Sequence, residues 1–326
     1  DAGLRLGQHG GGNVGGDDLH RPAGQPCAFL LQQHGDRVRL LPGGAGRAPD
    51  AQRALLGAPR HQGRQEVAAL HTRAGEWLAG HGFIEEAVRH LLAAGDSSGA
   101  AQLVDANRHS LLNHDDHRAL ERWLALLPEE HIIQRPGLLL AQAWVWQFVY
   151  NLRAIPSLLQ AAENLLADPS PALTPAAVQC LRAETNLLRG IVLYWQGQGQ
   201  PSFDHLQRAL PDLAPHHSFL WSQAIFFFGL AAQMIGQWGL AFEQISARLQ
   251  AGLNPADLVT IRFLGIQAWV HMISAELPLA VQLAHQVAAM AEANNYVNMQ
   301  AWGEYFLGYI HYLWNDLDAA AAYLSR

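Results

Sequence analysis

A short turn recurs seven times along the chain, around Gly82, Asp115, Tyr150, Gly197, Gly236, Ala275 and Asn315, at spacings of 33, 35, 47, 39, 39 and 40 residues. Nothing else in the sequence limits the fold so strongly, because a period of this length means stacked copies of one supersecondary unit. Seven residues before the turn stands a small residue in six of seven copies (Gly75, Ala143, Gly190, Gly229, Ala268 and Gly308), with Arg108 the exception. Five after it come Ala87, Leu120, Ile155, Ser202, Ala241, Ala280 and Ala320; nine after it come Leu91, Leu124, Leu159, Leu206, Ile245, Ala284 and Leu324. Two antiparallel helices approach closely only where side chains are absent or short on the facing surfaces, so the first two positions predict helix contact. The third fills the space beyond it.

From Glu66 onward the chain is apolar-periodic, carries all ten Trp and shows hardly any strand-like alternation, which predicts helices throughout. Prolines such as Pro128, Pro136, Pro175, Pro201 and Pro255 fall where helices start or stop. One helix pair cannot bury its apolar face alone, so neighbouring pairs must stack. The predicted fold is all-α: a tetratricopeptide-like helical-repeat superhelix of antiparallel pairs over residues 66–326. The longer interval between Tyr150 and Gly197 is assigned to a Pro-rich loop at Asp168 to Pro175. Residues 1–65 hold 14 of the 30 Gly and no Trp, Tyr or Ile, so this Gly-rich segment is expected to be irregular or disordered. The chain begins without Met and stops within a helical pattern, and reads as part of a longer protein without a signal peptide.

The offsets are those of tetratricopeptide repeats, lengthened and without the usual Trp early in the first helix. The segments from His71 to Leu78 and from Gly82 to Asp96 resemble the start of the helical region in MalT-like regulators of the LuxR family, and Arg122 to Pro128 and Arg135 to Leu138 are similar to that family's next landmarks. The resemblance covers 66–326 and is specific to about Leu166. It implies a cytoplasmic region that senses inducers, set between an ATP-binding oligomerisation module and a helix-turn-helix DNA-binding domain. Neither neighbour is visible in these residues.

Composition excludes several chemistries. The chain has no Lys, so the Gly run at 10–16 cannot serve as an ATP-hydrolysing phosphate loop, and Schiff-base chemistry is absent. No cofactor is expected. Residues 1–65 carry 8 Arg against 5 Asp, leaving 13 Arg against 23 acidic residues from Glu66 onward, a poor electrostatic partner for nucleic acid. No uninterrupted apolar run is long enough to span a bilayer. Cys27 and Cys180 form no paired motif; a reducing compartment is expected, with Cys180 a buried inert thiol. His109, His114 and His117 are close in sequence, but two straddle a turn, and exposed turn histidines are favoured over a metal site. His271 and His311, four residues before their turns, are expected to pack between repeats with a ring nitrogen on a backbone carbonyl. No set of acid, base and nucleophile can be assembled, so an enzyme is not expected.

The remaining signal lies on the first helix of each pair, at positions predicted to line the concave face. The candidate binding residues are Trp144, Phe148, Tyr194, Trp195, Gln223, Phe226, Arg262, Trp269, Tyr305 and Tyr309, with Trp302 and Tyr312 beside them. Aromatic faces with a few polar groups suit a small-molecule effector or a peptide. Self-association is a further expectation, and a constitutive scaffold binding a partner peptide is the alternative function.

Overall fold

A computed structural model describes residues 60–214, 216–237, 239, 243 and 258–326, with side chains from Gln65 onward. The expectations for residues 1–59, Cys27 among them, and for Ala241 and Ile245 lie outside the described residues. The described residues fall in one compact unit, Arg60–Arg326, whose regular secondary structure is helical among those residues.

Fourteen helices are described: α1 (Arg60–Gly80), α2 (Ile84–Ala93), α3 (Ser97–Asn113), α4 (His117–Leu126), α5 (Glu129–Ile132), α6 (Pro136–Phe148) and α7 (Ile155–Ala167), then α8 (Pro175–Trp195), α9 (Gly199–Ala209), α10 (Ser218–Met234), α11 (Leu258–Ile273), α12 (Leu277–Ala293), α13 (Val297–Leu313) and α14 (Leu317–Leu324). The interval 168–174 is non-helical, and α5 is a short helix that the repeat pattern does not announce. No described helix is long and apolar enough to cross a membrane.

All seven residues at the recurring turn take left-handed backbone angles, from φ 55° at Tyr150 to 82° at Gly82. In each turn the following residue's N–H donates to the carbonyl five residues earlier: Phe83 to Leu78, Asp116 to Leu111, Asn151 to Trp146, Gln198 to Leu193, Gln237 to Ala232, Glu276 to His271 and Asp316 to His311. This is the Schellman closure of a helix C-terminus, which satisfies carbonyls that would otherwise lack partners and reverses the chain within about one residue. Asp116 and Asp316 then cap the following helices by accepting from Ala119 N and Ala319 N.

At Gly75, Gly190 and Gly308 the small residue does what its spacing predicts. A methyl group at Gly75 would sit 3.2 Å from Leu91 Cγ, at Gly190 2.5 Å from Leu206 Cγ, and at Gly308 2.6 Å from Leu324 Cγ. In each case the crowding residue stands nine positions after the turn. The Ser202 hydroxyl, five after its turn, donates to Gly190 O across the same contact at 2.8 Å.

Helices joined by these turns pack along one another: α1 on α2, α3 on α4, α6 on α7, α8 on α9, α11 on α12, α13 on α14. The first helices of successive pairs also touch: α3 with α6, α6 with α8, α8 with α10, α10 with α11, α11 with α13. One contact breaks the sequential order, because α3 packs against α10 as well. The helices α3, α6, α8 and α10 therefore close around one another.

Candidate ligand-binding surface

The closure of four helices explains the exception at Arg108. Its guanidinium is buried and donates to both carboxylate oxygens of Glu184, Nη1 at 2.7 Å and Nη2 at 2.8 Å, while Nε reaches Asp105. Glu184, on α8, also accepts from Trp144 Nε1 at 2.8 Å, and His109 Nε2 lies 3.1 Å from it. His217, just before α10, lies against His109 with ring centroids 3.7 Å apart. One carboxylate thus ties together side chains from α3, α6 and α8, with α10 alongside. Burial by itself would raise the Glu184 pKa, but the charge of Arg108 and the contact with His109 hold it well below the usual carboxylate range.

The end of α3 is bound to later helices. Asn113 donates to His216 O and accepts from Phe219 N, supplying the start of α10 with a cap from a distant helix. Arg262, on α11, donates through Nη2 to Asp115 and to the carbonyls of Leu112 and Asn113, and its guanidinium lies over the Phe219 ring.

These contacts place several candidate residues inside. Trp144 has 0% exposure and Arg262 6%, so neither presents a surface to a ligand in this conformation. Phe148 is half-buried, stacked on His117 and touching Phe219. Gln223 is half-buried on α10. His109 is not an exposed turn histidine but part of the buried polar centre, because α8 and α10 cover the last turn of α3; His117 is likewise partly covered. His114 is exposed and bonded to Ser110 O. No group of three or more potential metal ligands gathers among the described residues. Cys180 is half-buried, not fully covered. His271 and His311 each bond through a ring nitrogen to the carboxylate just past the turn, Glu276 and Asp316.

Ring contacts join the other six candidates through the buried Phe227 and Phe306. Ring contacts run without a break from Tyr150 to Trp195 (5.8 Å), Tyr194 (5.4 Å), Phe227 (5.6 Å), Phe226 (5.2 Å), Trp269 (6.1 Å) and Phe306 (5.7 Å). Phe306 meets Trp302 and Tyr305, and Tyr305 continues to Tyr309 and Tyr312 at 6.2 and 6.4 Å. Helices α8, α10, α11 and α13 all contribute. Trp195 is 47% exposed, Trp302 43%, Tyr305 40% and Tyr309 39%, far more than aromatic rings whose role is to fill a core.

The cleft between α7 and α8, about 250 Å³ and lined by Glu163, Arg182, Thr185 and Asn186, is a weaker candidate. Glu163 is paired with Arg189, Arg182 donates to Leu166 O, and Thr185 to Leu181 O, so its polar groups are already matched. No protein-family model matches the chain.

Proposed function

We propose that this chain is the ligand-sensing and protein-interaction region of a MalT-like LuxR-family transcriptional regulator, built as a tetratricopeptide-like superhelix and without catalytic chemistry of its own. The observation that carries the binding role is the unbroken run of aromatic rings across four first helices, with its outer members exposed. Support for the superhelix comes from seven identical turns and from the chain of contacts between successive first helices. The regulator assignment rests on the resemblance of His71 to Leu138, which falls on α1 to α6.

Sensing would work by population shift: an effector lying across α8, α10, α11 and α13 favours one curvature, and that curvature alters contacts with adjoining domains. The sequence on either side of this chain in its gene tests the assignment. An upstream phosphate loop with its Lys and a downstream helix-turn-helix are expected; flanks without either contradict the regulator. The second reading, a constitutive scaffold binding a partner peptide, is favoured by the Arg262 tie to Asp115, which resists a change of curvature. Small-angle scattering with and without a bound ligand separates the two, since only sensing changes the radius of gyration.

A further inference from the structure

The hydrogen bonds that tie α3 to α10 and α11 gather at one place, the last turn of α3 and the residues just beyond it. Asn113 donates to His216 O and accepts from Phe219 N, each at 3.0 Å, and Arg262 holds Asp115 and the carbonyls of Leu112 and Asn113. These ties skip the sequential order of stacking. The contacts of α3 with α6, α6 with α8 and α8 with α10 lie elsewhere, so releasing the ties opens one seam and leaves the stack of helix pairs in place.

The same seam holds a cluster of imidazoles. His109 on α3 and His217 at the start of α10 lie with ring centroids 3.7 Å apart, and His216 meets His217 at 4.2 Å. The charged groups facing them are Arg108 and Asp105 from α3 and Glu184 from α8. Helix α6 offers only the neutral indole of Trp144, and Arg262 of α11 is engaged with Asp115. Glu184 is the nearest carboxylate to answer a proton on His217, and its acceptor sites are taken. Oε1 accepts from Arg108 Nη1 and Trp144 Nε1; Oε2 accepts from Arg108 Nη2 and faces His109 Nε2 at 3.1 Å. A carboxylate offers about four such sites, so none remains. Asp105 is paired with Arg108. A proton on His217 therefore sets a charge beside Arg108 and two imidazoles without a carboxylate of its own. Burial, then His109 and His216, accordingly hold the His217 imidazole down to about 3, and burial and Arg108 lower His109.

We propose that the seam between α3 and α10 is an acid-sensitive latch: protonation of His217 and His109 releases the Asn113 cap and the Arg262 tie and opens the group of α3, α6, α8 and α10, while each helix pair stays folded. The latch does not depend on what the aromatic surface binds. Its sign follows from linkage. Both histidines are neutral in the closed form and titrate near pH 6.5 once the seam opens, so closure is complete above about pH 6.5 and weakens as pH falls toward 3. Each histidine set free raises the open-to-closed ratio about tenfold between about pH 7.5 and about pH 5.5.

Amide hydrogen exchange on the full chain, followed by NMR as protection factors so that the intrinsic effect of pH drops out, tests this. The Phe219 amide, bonded to Asn113 across the seam, should lose at least about tenfold of its protection over that pH range. It should also stay at least about tenfold less protected than the amide of Leu188, buried in the middle of α8, because the seam opens without unfolding the unit. His217→Phe keeps a ring and removes the titration, and should flatten the Phe219 profile. His109→Gln should reduce its slope, and decides the matter if His217→Phe does not fold. Equal protection at Phe219 and Leu188 means that the unit opens only as a whole, and overturns the latch. So does a Phe219 profile that is flat with pH, or one that keeps the wild-type slope in the folded variants.

Discussion

Glu184 accepts hydrogen bonds from Arg108 and Trp144 and faces His109 from a position with almost no exposure. A buried ion pair is weak evidence of net stabilisation, but removing one partner strands the other charge. Glu184→Gln should therefore lower unfolding free energy by about 3–5 kcal/mol in urea titrations, while the double change Arg108→Met, Glu184→Met should recover most of the loss. The histidines beside it add a pH dependence. Burial, then His109 and His216, push the His217 imidazole down to about 3, and burial and Arg108 lower His109. An unfolded histidine titrates near pH 6.5, so below that pH the unfolded chain binds protons that the folded chain does not. Stability should be full above about pH 6.5 and fall as pH drops toward 3, with Glu184 adding a loss in the same direction at more acid pH. Urea midpoints at about pH 7 and about pH 5 should differ in wild type and differ less in His217→Phe. The signal for this centre was present in the sequence: Arg108 alone breaks the small-residue rule, and Glu184 shares a helix face with Leu181, Leu187 and Leu188. Their partnership was not legible, since 76 residues separate them and only the closure of α3 on α8 and α10 brings them together.

At the scale of helix pairs the sequence was most informative, because the turn and its small and large neighbours are local features that sterics dictates. The seven left-handed residues include four that are not Gly. Ala275, at φ 61°, carries left-handed strain of roughly 1–2 kcal/mol with no polar side chain to offset it, less what Gly loses through its freer unfolded state. Ala275→Gly should raise stability by up to about 1 kcal/mol, and Gly197→Ala should lower it by a similar amount. Gly303 makes the tightest contact with main chain: a methyl there would meet Ala288 N at 2.8 Å and its Cβ at 2.9 Å, across α12 and α13. Because backbone cannot move aside as the end of a Leu can, Gly303→Ala should cost about 1–3 kcal/mol, measurable as a drop in Tm.

Across the unit Arg60–Arg326, a periodic pattern tells which side of each helix faces inward but not whether facing sides meet. The stripe expected to line an open groove includes Trp144 on α6 and Arg262 on α11, both buried where distant helices meet. The same stripe stays exposed on α13, at Trp302, Tyr305, Tyr309 and Tyr312. Sequence period could not separate these cases, because the α3 to α10 contact and the Arg262 tie are long-range. The central claim is that the aromatic surface from Trp195 to Tyr309 exists for a ligand and not for packing. It is tested most directly by thermal unfolding of the triple variant Trp195→Ala, Trp302→Ala, Tyr309→Ala beside the single variant Trp144→Ala. Loss of Trp144, fully buried and bonded to Glu184, should cost about 3–5 kcal/mol, while the triple variant should melt close to wild type and lose ligand binding. A triple variant that unfolds as readily as Trp144→Ala would contradict the account, since the exposed rings would then be part of the core.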